Sequence, residues 1–400
     1  MTKEKRVVAA LAASQAMLLI NNIILISLNG IVGYMLLGAD KSLATLPVTC
    51  FVLGTALVMT PASFWMQRFG RRVGFMTGAG FAILGTLTCA GAVDLHSFPL
   101  LCLGTFLTGG YNGFGQYYRF AAADVASPAF RPRAISLVLA GGILGAVVGP
   151  ESSKYTKDLL SIPFLATYLF LAGAATLALL LQLFADIPRP VAAEDQGPRR
   201  PLLEIVRQQK FIVALLAGMF GYASMNFLMT ATPIAMITHQ HAYGDAAFVI
   251  EWHAIAMFAP SFFTGSLIKR FGTLAILRTG AWLIIACIAA AALGGIGVAA
   301  FWSTLVLLGI GWNFLYIGGT ALLTETYRPS ERAKAQATND QLVFLATAAS
   351  SVASGWLLSR IGWPALVLWL LPLPVTVLAA ASWLAWRRER GDLGGAPRQA

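Results

Sequence analysis

The stretch FWMQRFGRRVGF, from Phe64 to Phe75, has a counterpart in SLIKRFGTLAIL, from Ser266 to Leu277. Each stretch contains Arg-Phe-Gly at the end of a long apolar run, and the two copies of this tripeptide begin 202 residues apart, at Arg68 and Arg270. This spacing is about half of the 400-residue chain. The repeat therefore predicts two related halves, each with its own turn after an apolar helix.

Composition assigns the chain to the membrane proteins. Hydrophobic residues make up 58% of the sequence, charged residues 11%, and the mean hydropathy is +0.72. Soluble domains carry roughly 25% charged residues, so this sequence excludes an ordinary soluble protein. Spans of about 20 residues are needed to cross a bilayer, and twelve such spans would account for the apolar fraction.

Twelve apolar runs of spanning length follow one another along the chain. They are continuous and lack the alternation of barrel strands, so we expect helices. The first run is expected to be a retained span, because it continues well beyond the length of a secretion signal. The predicted spans are 9–37, 43–66, 73–93, 98–122, 134–153, 162–186, 211–237, 246–268, 274–298, 301–323, 342–360 and 363–386.

The basic residues predict the orientation of the chain. If both termini are cytoplasmic, 23 of the 28 Lys and Arg residues fall on the cytoplasmic side, four fall outside, and Arg119 lies within a span. This asymmetry follows the positive-inside rule, and anionic lipid headgroups account for the net charge of +11. Nucleic-acid binding is not expected, because the positive charge is spread over many short loops. The four cysteines show no metal or redox spacing and are expected to be free thiols.

Further landmarks repeat with nearly the same spacing. Gly110-Tyr111-Asn112 in the fourth span matches Gly311-Trp312-Asn313 in the tenth, and Asp124 matches Glu325. A polar stretch separates the two halves. We therefore predict an N-terminal six-helix bundle over 1–186, a cytoplasmic linker over 187–210 and a C-terminal six-helix bundle with a short cytoplasmic tail over 211–400.

With twelve spans, a six-plus-six repeat, a basic central loop and R-x-G-R-R after the second span, the chain resembles the major facilitator superfamily over its whole length. The loop after the second span in that family reads roughly G-x-L-x-D-R-x-G-R-R. This sequence matches it at Arg68, Gly70, Arg71 and Arg72, and in the second copy at Gly265, Leu267, Arg270 and Gly272. The resemblance implies an all-α membrane fold of two pseudo-symmetric bundles and a gating role for Arg68, Gly70, Arg71, Arg72, Arg270 and Gly272.

Glycine suits a tight reversal between two helices, so Gly70 and Gly272 are expected to form turns. Gln67 stands where the family has an acidic residue, and Lys269 stands there in the second copy. Because Gln67 keeps only hydrogen bonding, we expect an inner gate with a weaker electrostatic latch than the family pattern implies.

The fifth span contains Gly145-Ala-Val-Val-Gly149-Pro150. This run is similar to the G-x-x-x-G-P signature of proton-coupled exporters in the superfamily. Small residues at this spacing also let helices approach closely, so both export and plain packing remain open.

Ionisable residues inside a bilayer are costly, which makes them candidates for function. Arg119 is a candidate anchor for an anionic or carbonyl-rich solute or a group that tunes a nearby acid; the alternatives are snorkelling and pairing with Asp124. Glu251 and His253 in the eighth span are candidates for proton coupling, as is Arg119. Glu251 and His253 are two positions apart on a helix and cannot both face one cavity squarely. Solvation of Glu251 and simple packing of His253 are the alternatives.

The spans that line the cavity in this family are the first, fourth, seventh and tenth. Their amides, hydroxyls and aromatic rings suit a planar, hydrogen-bonding solute, although each could equally join two helices. The spacings place Asn22 with Asn29, Asn112 with Gln116, and Asn226 with Thr230 on common helix faces. The substrate-binding candidates are Asn22, Asn29, Asn112, Gln116, Tyr117, Arg119, Tyr222, Asn226, Thr230, Trp312, Asn313 and Tyr316.

The segments MNFLMTATPIAM and FVIEWHAIAMFAPSFFTG, with YYRFAAAD in the fourth span, resemble a group of bacterial carriers that includes riboflavin importers. The resemblance implies uptake of riboflavin or a similar vitamin by alternating access across a bacterial inner membrane. Proton-coupled efflux of drugs or metabolites is the alternative. We expect membrane lipid and a small organic solute as partners, with protons as a candidate coupling ion, and a monomer without a cofactor, a metal or enzymatic activity.

Overall fold

A computed structural model describes residues 3–127, 131–185, 187, 200–328 and 331–390, and this part of the chain consists of helices joined by turns and loops, without strands. Most of the predicted linker, 188–199, and the end of the tail, 391–400, lie outside the described residues. Apolar runs form helices because a helix satisfies its backbone hydrogen bonds within the segment. All four cysteines are free, as the sequence predicts.

Fifteen helices are described, seven in the first half of the chain and eight in the second. The first seven are α1 (Lys3–Leu36), α2 (Leu46–Phe69), α3 (Arg71–Asp94), α4 (Phe98–Gly115), α5 (Tyr118–Val125), α6 (Arg131–Thr156) and α7 (Leu165–Phe184). The remaining eight are α8 (Leu202–Val206), α9 (Gln209–Thr238), α10 (Tyr243–Phe258), α11 (Ser261–Phe271), α12 (Thr273–Leu293), α13 (Val298–Thr324), α14 (Arg332–Leu368) and α15 (Pro372–Glu389).

Eight helical segments of the described chain are long and apolar enough to cross a membrane, or nine if the bent pair α10 and α11 counts as one span. The predicted fourth span is divided between α4 and α5, and the eighth is bent by 42° between α10 and α11. The last two predicted spans lie in one continuous stretch, Lys334–Glu389, which breaks at Gly362. Described helices thus cover all twelve predicted spans, but only eight or nine helical segments are individually long and apolar enough, and the sequence did not predict these interruptions.

One set of equivalent helices packs in the same way in the two halves. In the first half α3 packs against α4 and α7, and in the second half α12, its counterpart, packs against α13 and α15. Small residues allow these approaches: a Cβ added to Gly85 would lie 2.6 Å from the carbonyl oxygen of Gly104, and one added to Gly311 would lie 2.8 Å from Cγ1 of Ile284. The shared pairing agrees with the duplication read from the sequence.

Contacts divide the chain into two compact units. Unit 1 comprises Met1–Ala193, Phe227–Ile255 and Ala348–Gly362, and unit 2 comprises Glu194–Asn226, Ala256–Thr347 and Trp363–Ala400. Unit 1 thus contains α1 to α7 together with parts of α9, α10 and α14. Within it, the hydroxyl of Thr45 donates to the backbone carbonyl of Ser351 at 2.8 Å.

Candidate solute-binding and gating sites

The two Arg-Phe-Gly tripeptides adopt the same conformation. Gly70 has φ 92° and ψ 156°, and Gly272 has φ 85° and ψ 153°. Each glycine N–H donates to the carbonyl four residues earlier, of Met66 at 2.9 Å and of Ile268 at 2.8 Å. Backbone of this kind is almost exclusive to glycine. The next helix starts at the following residue in both copies, so the predicted tight reversal is present twice.

The arginines before the two turns make the same contact, whereas the two arginines after the first turn bond to other helices. The guanidinium of Arg68 lies over the ring of Phe69 at 5.3 Å, and that of Arg270 lies over Phe271 at 5.1 Å. Arg71 forms an ion pair with Asp124, and Arg72 donates to the backbone carbonyl of Leu183. Arg71 therefore joins the start of α3 to the end of α5.

Three of the predicted amides meet in unit 1. Nδ2 of Asn22 donates to Oδ1 of Asn112 at 2.8 Å, and Nε2 of Gln116 donates to the same oxygen at 3.1 Å. Asn112 in turn donates from Nδ2 to Oγ1 of Thr55 at 3.2 Å. Oδ1 of Asn22 is buried and has no hydrogen-bond partner among the described residues. The network joins α1, α2 and α4 and holds an acceptor that a solute donor could use.

The other candidates of the first half lie apart from this network. Oδ1 of Asn29 accepts a hydrogen bond from the Tyr168 hydroxyl at 2.7 Å, so Asn29 faces α7 although it shares a helix face with Asn22. The hydroxyl of Tyr117 donates to the carbonyl of Met59 at 3.1 Å. Arg119 is half-buried, with its guanidinium 4.9 Å from the centre of the Phe120 ring.

In unit 2, both N–H groups and the oxygen of the Asn313 amide have hydrogen-bond partners. Nδ2 donates to the carbonyl of Met257 and to Oγ of Ser261, each at 2.7 Å, and Oδ1 accepts from Oγ1 of Thr264 at 2.8 Å. These partners flank the bend between α10 and α11, where Pro260 lacks an N–H to continue the helical ladder. Asn313 therefore joins α13 to the bent pair α10 and α11. Joining two helices was the alternative to solute binding that the sequence left open for this residue.

Three predicted aromatic residues form a cluster in unit 2. The rings of Trp312 and Tyr316 stack at 5.0 Å with an interplanar angle of 12°. Tyr222 packs nearly at right angles to both, at 5.1 and 5.3 Å. Phe344 and Phe258 extend the cluster, at 6.0 Å from Tyr222 and 6.4 Å from Trp312. These five residues are called the aromatic cluster below.

Asn226 and Thr230 are both buried on α9. Nδ2 of Asn226 donates to the backbone carbonyl of Thr347 at 3.2 Å, which joins α9 to α14. Oγ1 of Thr230 has no hydrogen-bond partner within the described chain. The boundary between the two compact units falls within α9, between these two residues: Asn226 belongs to unit 2 and Thr230 to unit 1.

Glu251 and His253 have different surroundings in unit 1. Oε2 of Glu251 lies 3.9 Å from Nζ of Lys154, which also contacts Oε1 of Glu151 at 2.5 Å. The side chain of Glu251 is 15% exposed, whereas His253 is fully buried. Glu251 is thus an acid beside a cation that a second acid shares. Among the described residues, no group of His, Cys, Asp and Glu is arranged to hold a metal ion.

The structure also shows an ion pair that the sequence analysis missed. Nη2 and Nε of Arg200 donate to the two carboxylate oxygens of Glu331 at 2.6 and 2.9 Å, and the Arg200 backbone N–H donates to Oε1 at 2.9 Å. The Glu331 side chain is buried. Its hydrogen bonds with Arg200 and the backbone N–H of Arg328 hold the Glu331 pKa far below its ordinary value. The pair fastens the segment before α9 to the loop before α14.

A related contact occurs in the first half. Oε1 of Glu4, near the start of α1, accepts from the backbone N–H and the hydroxyl of Ser127 at 2.8 and 3.1 Å. Near the start of α9, Nε2 of Gln208 donates to the carbonyl of Thr326 at 2.8 Å. The start of α1 and the residue that precedes α9 are therefore each tied to the loop after the fourth span or its equivalent.

The glycines of α6 pack against α1, and the closest approaches are at Gly141 and Gly145 and not at Gly149. A Cβ on Gly141 would lie 2.4 Å from the carbonyl oxygen of Ala12, and one on Gly145 would lie 2.7 Å from Cβ of Leu19. The nearest atom to a Cβ on Gly149 would be 3.6 Å away, which is ordinary contact. The tightest packing therefore includes Gly141, which lies outside the G-x-x-x-G-P run.

Comparison with known proteins identifies the family. The Major Facilitator Superfamily model matches residues 8–317 and 215–400. The chain is 43% identical over 384 residues to a riboflavin transporter, RfnT, of Brucella anthropi, covering 94% of this chain and 95% of the relative. It is 31% identical over 373 residues to YdeG of Bacillus subtilis, an uncharacterized transporter of the same type, covering 88% and 86% of the two chains.

The fold agrees with a solved structure. The human organic anion transporter MFSD10 (TETRAN) superposes with a TM-score of 0.71 at 14% sequence identity, covering 95% of this chain and all of that one. At this identity the likeness establishes the fold alone. Together with the family match, the apolar helices and the repeated turns, it shows that the chain is a multi-pass membrane transporter of the major facilitator superfamily and not an enzyme.

Proposed function

We propose that this chain carries riboflavin into the cell by alternating access between its two six-helix halves, 1–186 and 211–400. The observation that carries the proposal is the 43% identity to a riboflavin transporter over 94% of the chain. The site chemistry is compatible with this solute, because riboflavin is planar, neutral and rich in carbonyls. The amides of Asn22, Asn112 and Gln116 and the rings of Tyr222, Trp312 and Tyr316 supply hydrogen bonds and stacking surfaces.

Growth of a bacterial riboflavin auxotroph in limiting vitamin tests the proposal. Cells that express the chain should grow, whereas cells that express a matched truncated chain should not. Uptake of labelled riboflavin into proteoliposomes should be saturable. Failure of both assays, with the protein present in the membrane, would contradict riboflavin transport.

We further propose an inner-membrane location in a bacterium, with both termini cytoplasmic and a monomer as the working unit. The 23-to-4 distribution of basic residues supports the orientation. Alkaline phosphatase fused after residue 400 should be inactive and a fluorescent protein fused there should be bright. The reverse pattern would place the C-terminus outside.

Protons are the proposed coupling ion, and Glu251 is the proposed acceptor because it is partly buried beside Lys154. Glu251→Gln should remove the dependence of uptake on an inward proton gradient, whereas Glu151→Gln, which changes the more exposed acid on Lys154, should keep it. Equal gradient dependence in Glu251→Gln and the parent would contradict this role. Loss of drug resistance in Glu251→Gln, without any riboflavin uptake by the parent, would favour proton-coupled efflux.

A further inference from the structure

We infer that the aromatic cluster of unit 2 binds the flat heteroaromatic ring of the solute, and that the indole N–H of Trp312 donates a hydrogen bond to a carbonyl on that ring. The inference rests on the proposed function for the identity of the solute. It goes beyond that function because it assigns the ring of the solute, as distinct from its chain, to named groups of the protein.

The cluster brings together rings from four helices. Tyr222 lies on α9, Phe258 at the end of α10, Trp312 and Tyr316 on α13, and Phe344 on α14. Trp312 is 4% exposed, whereas the other four rings are half-buried. The cluster thus has a buried centre and an accessible margin of π surface. Such surfaces bind flat rings well, because stacking on an aromatic side chain contributes about 1–3 kcal/mol per base-sized ring.

The buried nitrogen of Trp312 points to a specific ligand group. Nε1 of Trp312 is a hydrogen-bond donor with no partner among the described residues. Leaving such a donor unpaired in an apolar site is unfavourable, and buried Trp N–H groups usually find an acceptor. A ring carbonyl would supply one. Asn313, the next residue, cannot donate to the solute in the same way, because both N–H groups of its amide already donate to groups around the bend of α10 and α11.

A flat ring with carbonyl acceptors at its edge meets both requirements, whereas a flexible polyol offers hydroxyl acceptors but no flat surface that could stack on the cluster. The ring system of a flavin has this chemistry, and its sugar-alcohol chain does not. We therefore expect the cluster to bind the ring even when the chain is absent. This separates the inference from overall recognition of riboflavin.

The experiment uses the purified full-length protein in lipid nanodiscs. Binding is followed through quenching of riboflavin fluorescence, since stacking on Trp or Tyr quenches the flavin. Lumichrome, a tricyclic ring of this kind without the chain, and ribitol, the chain without the ring, serve as competitors. The variants are Trp312→Phe, which keeps a ring but removes the N–H, and Tyr316→Leu, which removes one stacking ring.

Trp363→Phe is the matched control. Trp363 is another buried tryptophan of unit 2, packed against Phe301 at 5.0 Å and outside the cluster. Thermal unfolding of each variant shows whether folding has changed. If Trp312→Phe fails to fold, Tyr316→Leu decides the question.

Trp312→Phe should weaken binding of riboflavin and lumichrome by about tenfold, as expected for one hydrogen bond. Tyr316→Leu should weaken both by about tenfold or more and reduce the quenching. Ribitol should not compete, and Trp363→Phe should bind both rings like the parent. If folded Trp312→Phe and Tyr316→Leu bind both rings as tightly as the parent, the inference is wrong.

The inference and the proposed function can fail separately. Saturable riboflavin uptake with binding that is insensitive to both cluster variants would overturn the ring site and keep the function. Binding of lumichrome that depends on Trp312, without riboflavin uptake, would keep the ring site and overturn the function. A parent protein that binds neither ring would overturn both.

Discussion

Asn112 on α4 and Asn313 on α13 each follow a glycine and an aromatic residue, and each reaches the neighbouring helix at an equivalent position. Asn112 donates to Thr55 and Asn313 donates to Met257, and these two partners are 202 residues apart. The first amide also accepts from Asn22 on α1 and from Gln116, which directly follows α4, whereas the second amide bonds to three groups around a bend. The duplicated position thus serves a polar network in one half and a helix bend in the other.

This difference has a physical cause in the neighbouring helix. α2 runs as one helix past Thr55 and past its internal Pro61, so the amide of Asn112 has no break between helices beside it and bonds to Asn22 and Gln116. The second half has Pro260 close to Met257, and its bend exposes groups that need partners. The proposed recognition of the solute ring in that half is therefore assigned to the aromatic cluster and not to Asn313. The two halves therefore share the position of this asparagine and the helix that it contacts, but they differ in the hydrogen bonds that it makes.

The largest expected effect comes from exchanging these asparagines for alanine. Asn313→Ala should lower the free energy of unfolding by about 2 kcal/mol, because it leaves the groups around the bend without their partner. Asn112→Ala should cost less stability, since its partners are mostly side chains that can rearrange, but should raise the KM for riboflavin about tenfold. Thermal unfolding in detergent and uptake kinetics in proteoliposomes measure the two effects.

Thr279→Ala is a suitable control, because among the described residues its exposed hydroxyl bonds only to the carbonyl of Ala275 in its own helix. It should change neither stability nor uptake appreciably. Equal losses of stability and equal rises in KM for Asn112→Ala and Asn313→Ala would show that the two copies are used alike.

The two glycine turns should respond equally, in contrast to the asparagines. Gly70→Ala and Gly272→Ala should each cost about 1–3 kcal/mol of stability, because both backbones lie in a region that other residues avoid. Gly80→Ala is the control: Gly80 lies within α3 with open space around it, so alanine should be neutral or slightly stabilising. Unfolding temperatures measure all three. A turn that tolerates alanine in one half only would break the equivalence of the copies.

The turns show how much of the fold could be predicted from sequence. Apolar length, basic loops and the repeated Arg-Phe-Gly depend on short stretches of chain, so they predicted the spans and both glycine turns. The bend between α10 and α11 has a local signal in Pro260, but the residue that holds it, Asn313, is 56 positions from its partner Met257. Sequence placed Asn112 and Asn313 at equivalent positions and could not say that their partners differ.

The candidate site was predictable to a similar extent. Helical spacing placed Asn112 and Gln116 on one face, and they are hydrogen-bonded. The same spacing put Asn22 with Asn29, which bond to α4 and α7 respectively, because seven residues separate them by about 10 Å along the helix and a different neighbour passes at each level. Arg200 and Glu331 gave no signal, since single charges in polar loops are ordinary and their pairing spans 131 positions.

The Arg200–Glu331 and Glu4–Ser127 contacts can be compared through the pH dependence of stability. Because the Glu331 pKa is lowered in the folded protein, the pair with Arg200 stabilises the fold at pH values above the ordinary carboxyl pKa of about 4.3. That contribution is lost as the pH falls toward the lowered pKa. The unfolding temperature of the parent should therefore drop between about pH 5 and pH 3.

Glu331→Gln should unfold at a lower temperature than the parent at pH 7 and should converge with it in acid. Glu4→Gln, at the exposed tie to Ser127, should have a smaller effect. Unfolding temperatures across the pH range test both expectations. A Glu331→Gln protein as stable as the parent at pH 7 would mean that the ion pair only offsets the cost of burying it.

The smallest effects are expected at Asp124 and Glu325, which the repeat also equates. Asp124 pairs with Arg71, whereas Glu325 contacts Lys210 at 2.8 Å and Arg388 at 3.2 Å. Both acids are more than a third exposed, so Asp124→Asn and Glu325→Gln should each cost only about 0.2–1 kcal/mol. Glu325→Gln should cost the more of the two, because it removes two contacts. Raising the salt to about 1 M should abolish the difference, since screening acts over about 3 Å there. If the difference in stability between the two variants persists at this salt concentration, these acids act through hydrogen-bond geometry and not through charge. The two halves would then differ at Asp124 and Glu325 as well as at Asn112 and Asn313.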